Sequence, residues 1–185
     1  VEKMAARAAR NYRAAMPLLA GYKDDAAAVV NQREDLIDRM EVTLTNYLIK
    51  ISDRELGEME SHRANSLLAF VTEVERIGDY AINVTERAAE MRDKELTFSD
   101  QAQRELQMLG DAIGEIIDLT VQAMHSGDAA TAAQVEPLEE TVDTICETLR
   151  TRHIQRLKDG KCQLESGIIF LDVLTTLERI SDHGS

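Results

Sequence analysis

The sequence has little of what β-rich, disulfide-stabilised or membrane-spanning proteins need. Its 185 residues include no Trp, two Pro, two Cys and only 4% aromatic residues. So few aromatics argue against a β-sandwich, and the abundant Ala, Leu, Glu and Arg favour long helices. Cys146 and Cys162 form no CxxC unit, so we expect reduced thiols in a cytosolic compartment. No secretory signal is visible, and no apolar run approaches the roughly 20 residues that span a bilayer.

Positive charge is also scarce, because 21 Lys and Arg face 34 Asp and Glu, which gives a formal net charge of −13. A field of this sign repels nucleic acid and anionic lipid headgroups, and it favours cations or basic partners. The sequence has no Gly-rich phosphate loop, no G-x-S-x-G segment and no Cys/His pairing. We therefore expect no nucleic-acid binding, predict no catalytic residue, and predict that the protein is not an enzyme.

Apolar residues recur at helical spacing through almost the whole chain. The predicted helices cover residues 2–20, 23–51, 55 or 58 to 93, 99–125, 128–158, and 163 to the end. Pro17 should kink or fray the end of the first helix. A break is predicted at residues 52–54. Because the breaks are short, consecutive helices should be antiparallel neighbours.

One acidic pattern divides these helices into two sets of three. A Glu is followed four residues later by an Asp on the second and third helices of each set; the pairs are Glu34 and Asp38, Glu75 and Asp79, Glu139 and Asp143, and Glu178 and Asp182. The repetition predicts an all-α fold of two pseudo-symmetric three-helix bundle repeats. The repeats would cover residues 1–96 and 97–185, with the second truncated at its C-terminus.

The acidic pairs lie beside the apolar stripe of each helix. At about 100° per residue, every pair falls roughly 40–100° from that stripe and on the same side. Facing carboxylates in such a place cost stability unless a cation neutralises them, and hard metal ions prefer oxygen ligands. The predicted metal ligands are Glu34, Asp38, Glu75, Asp79, Glu139, Asp143, Glu178 and Asp182, with Asn83 as a further ligand or hydrogen-bonding neighbour.

Residues 75–83 read Glu-Arg-Ile-Gly-Asp-Tyr-Ala-Ile-Asn. They resemble the signature of the PhoU family of phosphate-uptake regulators, E-R-(I or V)-G-D-x-(A or V)-x-N. In that family the signature is duplicated, with a companion E-x-x-I-D on the preceding helix, which residues 34–38 match. The resemblance covers essentially the whole chain. It implies clusters of iron, zinc, manganese or magnesium bound by the E-x-x-x-D residues, and a regulatory rather than catalytic role in phosphate transport.

Residues 41–52 and the long helix after them resemble the cytoplasmic tail domain of bacterial Na+/phosphate cotransporters. This implies a domain on the cytoplasmic side of the membrane, with a membrane transport protein as its partner, in cis or in trans. Homo-oligomerisation is left open, and a stand-alone PhoU-type regulator is the alternative. Because the chain starts at Val1 without a Met, we expect a fragment of a longer protein.

The sequence departs from the family pattern in three places. Ser181 replaces the second Gly, Tyr80 replaces the usual first His, and the chain ends before the second Asn. We therefore expect an incomplete second site.

Two alternatives come from other functional classes of protein. A ferritin-like di-metal carboxylate enzyme would need E-x-x-H motifs, which do not occur. A helical adaptor could bind a basic partner through its acidic groove.

Overall fold

The computed structural model describes residues 1–52 and 57–185, and these residues are almost entirely helical. The helices are α1 (Glu2–Ala15), a 3₁₀ turn (Met16–Leu19), α2 (Asp24–Ser52), α3 (Glu58–Asp93), α4 (Asp100–Ser126), α5 (Ala129–Ala132), α6 (Val135–Lys158) and α7 (Leu164–Gly184). The all-α prediction is confirmed. The predicted break covers residues 52–54. Residue 52 is the last residue of α2, and the other two lie outside the described residues. No helix in the described ranges is both long and apolar enough to cross a bilayer.

Helix boundaries follow local chemistry. α1 gives way to the 3₁₀ turn where Pro17 enters, since proline cannot donate the next helical hydrogen bond. Ser99 caps α4 by accepting a hydrogen bond from the Ala102 N–H, and Gly127 ends that helix with a φ of 65°. The predicted helix over 128–158 is divided into α5 and α6. Pro137 lies in the first turn of α6, where its ring would clash with a preceding helical turn, so the helix cannot run unbroken from residue 128.

The helices form two bundles of three long helices each. α1, α2 and α3 pack against one another, as do α4, α6 and α7, with the short α5 packed on α4 and α6. The bundles meet along α3 and α7, and along α1 and α4. The predicted pair of three-helix repeats agrees with this packing. The predicted boundary between residues 96 and 97 falls in the loop between α3 and α4 and stays a prediction.

A glycine sets the close approach of α2 and α3. A Cβ added to Gly78 would lie 3.3 Å from Ile37 Cδ1. The absence of a side chain at Gly78 therefore lets the two helices approach closely. Ile37 is fully buried there. Asp38 follows Ile37 and Asp79 follows Gly78, so this crossing brings the acidic residues of the two helices together.

At the bundle interface, Tyr80 of α3 stacks on His183 of α7, with ring centroids 5.5 Å apart and an interplanar angle of 15°. The two residues occupy equivalent positions in the two repeats, each directly after the second acid of its motif. His183 Nδ1 also lies 2.6 Å from Glu73 Oε2 of α3. The interface therefore joins the signature segments of both repeats.

Candidate metal centres

The first centre forms where α2 crosses α3. One carboxylate oxygen from each of Glu34, Asp38 and Asp79 lies within 4.8 Å of the others. Glu75 and Asn83 line the same open groove, which has a volume of about 600 Å³. The structure thus places all five residues predicted for the first repeat in one location, three of them within reach of a single ion.

In the first centre, burial and mutual repulsion raise the pKa values of Glu34, Glu75 and Asp79, so a nearby positive charge would stabilise their ionised forms. Burial raises the pKa of Glu34 to about 8, helped by its contact with Asp38 and by the charges of Asp38 and Asp79. Burial and then the charge of Asp79 raise the pKa of Glu75. Burial and then the charge of Asp38 raise the pKa of Asp79. Glu34 Oε1 is buried without a hydrogen-bond partner among the described residues. A proton or a bound cation would stabilise such an oxygen.

The second centre forms where α6 meets α7. One carboxylate oxygen from each of Glu139, Asp143 and Asp182 lies within 4.8 Å of the others. Burial and then the charge of Asp143 raise the pKa values of both Glu139 and Asp182. Glu178, the fourth acid predicted here, is outside this triad. Its Oε2 accepts a hydrogen bond from Arg150 Nη2 at 2.8 Å.

Two residues near these centres were missed as site residues. The charge of Glu41 contributes to the raised pKa of Glu75, and Thr45 Oγ1 donates to Glu41 Oε1 at 3.0 Å. Arg150 is the second, through its ion pair with Glu178. Glu41 lies seven residues after Glu34, close to two helical turns, so helical spacing alone would have found it.

Both centres are open to solvent rather than enclosed. The four aspartates are exposed and the four glutamates are half-buried. The helical angles predicted that all eight side chains lie beside the apolar stripe of their helices, and the structure places them there. It did not reveal that the aspartates extend past the packed layer into water. An ion could therefore exchange with solvent at either centre.

The donor set of each centre fits a hard metal ion. Oxygen ligands lie about 2.0–2.6 Å from Mg²⁺ or Ca²⁺, so ligands on opposite sides of one ion are about 4–5 Å apart. The carboxylate triads meet that separation, with all three oxygens within 4.8 Å of one another. Three carboxylates without histidine or thiolate favour oxygen-preferring ions over soft ones.

The model of the PhoU domain family matches residues 1–88 and 106–185. The chain is 20% identical over 186 residues to the Thermotoga maritima phosphate-specific transport system accessory protein PhoU homolog 1, covering 100% of this chain and 79% of that protein. The Pseudomonas aeruginosa homolog of the same name is 24% identical over 158 residues, covering 85% of this chain and 64% of that protein. The crystal structure of PhoU from P. aeruginosa shares the fold, with a TM-score of 0.91 and 23% identity over 98% of this chain and 87% of that one. The chain therefore belongs to the PhoU domain family.

Proposed function

We propose that this protein is a metal-binding regulatory domain that controls phosphate transport at the cytoplasmic side of the membrane. Family membership supports the regulatory part, because the relatives are named as accessory proteins of phosphate-specific transport systems. The metal part rests on one observation. Three carboxylate oxygens of the first centre lie within 4.8 Å of one another, and Glu34 Oε1 is buried without a hydrogen-bond partner in the part of the chain that the structure describes.

The residues of the chain suggest how metal would regulate. Glu34 and Asp38 belong to α2 and Asp79 to α3, so an ion held by all three would join two helices. A bound iron, zinc, manganese or magnesium ion would supply positive charge and a cross-link. The carboxylates would hold α2 and α3 in one relative position, and a membrane transport protein would bind the surface fixed in that way. The proposal assigns no catalytic step to the chain.

The finer proposal is that the domain belongs in cis to a Na+/phosphate cotransporter. A stand-alone accessory protein is the second candidate, favoured by the names of the relatives. The full-length gene distinguishes the two. Transmembrane helices encoded before Val1 support the cotransporter, and an open reading frame without them supports the accessory protein.

Isothermal titration of the metal-stripped protein with Mn²⁺, Fe²⁺, Zn²⁺ and Mg²⁺ tests the metal proposal. The triple variant Glu34→Gln/Asp38→Asn/Asp79→Asn should lose the tightest site. The matched control is Asp111→Asn/Glu115→Gln, which neutralises two exposed acids four residues apart on α4 and should bind like wild type. Binding by wild type no stronger than by the triple variant would refute the metal proposal. A metal-free protein that binds basic peptides would then favour the adaptor.

A further inference from the structure

The two centres differ at two neighbouring positions on one face of the second helix of each repeat. Residues of α6 are equivalent to residues of α2 that lie 105 positions earlier, as in the pair Glu34 and Glu139. On this basis Cys146 occupies the position of Glu41, and Arg150 occupies the position of Thr45. Both positions lie beside the carboxylates, because each is one or two turns after the acidic pair of its helix.

The first centre has an acidic residue, Glu41, and an uncharged residue, Thr45, at these positions. Thr45 donates its hydroxyl hydrogen to Glu41, and the charge of Glu41 acts on Glu75. None of the first-centre carboxylates forms an ion pair with a basic side chain in the described ranges. The charge of Arg76 partly offsets the rise in the pKa of Asp79, and the charges of His183 and then Arg179 do the same for Asp182, so an arginine with this influence is common to both centres.

The second centre contains its own cation. Arg150 Nη2 lies 2.8 Å from Glu178 Oε2, and its Nη1 lies 3.3 Å from Glu147 Oε2. The Arg150 side chain is only 27% exposed, so water screens its charge incompletely. Glu178 is the counterpart of Glu75. At the equivalent positions the first centre therefore has five carboxylates and Thr45, and the second has four carboxylates, Cys146 and Arg150.

We infer that Arg150 is an internal counter-ion that weakens multivalent cation binding at the second centre. It occupies one oxygen of Glu178 and places a positive charge on α6 two helical turns after Asp143. The first centre would consequently bind a multivalent cation at lower concentration than the second, where Arg150 competes with the cation for Glu178. Arg150 is a specificity-determining residue in this role. The inference rests on the proposed function, since it concerns the affinity of the same centres.

Mn²⁺ titration followed by the paramagnetic resonance signal of free Mn²⁺ tests this inference without an activity assay. Asp38→Asn/Asp79→Asn removes the first centre, so the remaining binding reports the second. Adding Arg150→Thr, which installs the first-repeat residue, should tighten Mn²⁺ binding at least tenfold. Arg152→Thr removes an exposed charge two residues away on the same helix and should leave the affinity unchanged.

The reverse exchange gives an independent test. In the background Asp143→Asn/Asp182→Asn, Thr45→Arg should weaken the first centre by a similar factor, whether or not the Arg150 variant folds well. No Mn²⁺ binding by any protein, wild type included, would refute the proposed function itself. Binding by wild type with equal affinity at both centres, or an equal effect of Arg150→Thr and Arg152→Thr, would overturn only the role of Arg150.

Discussion

The two repeats follow the same backbone plan but fill the ends of their second helices differently. In the first repeat, Leu48 is buried and Ile51 is half-buried. Their counterparts in the second repeat are His153 and Arg156. Arg156 donates two hydrogen bonds, at 2.9 and 2.7 Å, to the two carboxylate oxygens of Glu105 on α4.

This second-repeat network extends further. The His153 ring stacks on Phe170 with centroids 4.2 Å apart, and Arg156 Nη2 lies 3.2 Å from His153 Nδ1. One helical arrangement therefore accommodates either apolar burial or a buried ion pair at the same place. The two differ in how they respond to change, because a buried ion pair is costly to break and depends on pH, whereas apolar contacts are less sensitive in both respects.

The largest expected effect follows from breaking the ion pair. Arg156→Met leaves Glu105 charged with its side chain only 9% exposed, which should cost about 3–5 kcal/mol of unfolding free energy. Ile51→Met, at the equivalent first-repeat position, should cost less than about 1.5 kcal/mol. Urea unfolding measures both. Glu105→Leu combined with Arg156→Met should recover most of the loss, and equal costs for the two single variants would contradict the contrast.

The next effect concerns the crossing of the second and third helices. Gly78 faces Ile37 in the first repeat, whereas Ser181 and Val142 occupy those positions in the second. Gly78→Ser should cost about 1–2 kcal/mol, because the added atoms crowd Ile37. Ile37→Val makes room, so the double variant should be more stable than the sum of the single changes predicts, by at least about 0.5 kcal/mol. Additive effects in a double-mutant cycle would show that the two repeats do not compensate volume in this way.

A smaller effect should appear as pH dependence. Burial, and then the charge of Arg156, lower the pKa of His153. The unfolded chain therefore takes up this proton at a higher pH than the folded protein does. Stability should fall as pH decreases from the ordinary histidine pKa near 6.5 to the lower folded value, by at most about 1.4 kcal/mol per pH unit. His153→Leu, which installs the first-repeat residue, should remove this slope between pH 7.5 and 5.5. Denaturant titrations at both pH values measure it, and an unchanged slope would exclude His153 as its source.

The smallest expected effect is a gain. Ser181 is fully buried, and its Oγ has no hydrogen-bond partner among the described residues. Ser181→Ala removes that hydroxyl and should stabilise the protein by about 1 kcal/mol. Gly78→Ala at the equivalent position should not stabilise, because its Cβ would crowd Ile37. Thermal melting compares the two, and a lower melting temperature for Ser181→Ala would mean that the hydroxyl has a partner such as water.

Sequence periodicity was enough to predict most of the helices, the repeat and the meeting of Glu34, Asp38 and Asp79. These features depend on residues a few positions apart on one helix, or on two helices that follow each other closely in sequence. The ion pair of Arg150 with Glu178 was not predictable in this way. It joins residues that are 28 positions apart in sequence and that meet because α6 packs on α7.

The error in the predicted helix over residues 128–158 has a different cause. The division between α5 and α6 follows from Pro137, whose position in the first turn of a helix is legible in the sequence. The prediction of one helix over 128–158 follows from apolar spacing alone and does not take that proline into account. The ion pair of Glu105 with Arg156, by contrast, joins residues 51 positions apart on two different helices. No local pattern indicates which of the many charged residues on α4 and α6 will meet.

The stack of Tyr80 on His183 has a mechanical consequence. Each ring is adjacent in sequence to an aspartate of one acidic centre, Asp79 on α3 and Asp182 on α7. A rotation of α3 about its axis that displaces Asp79 turns Tyr80 through the same angle, and the touching rings pass part of that torque to α7. The two acidic centres, on different bundles, are thus linked by an aromatic contact between the residues that follow their aspartates.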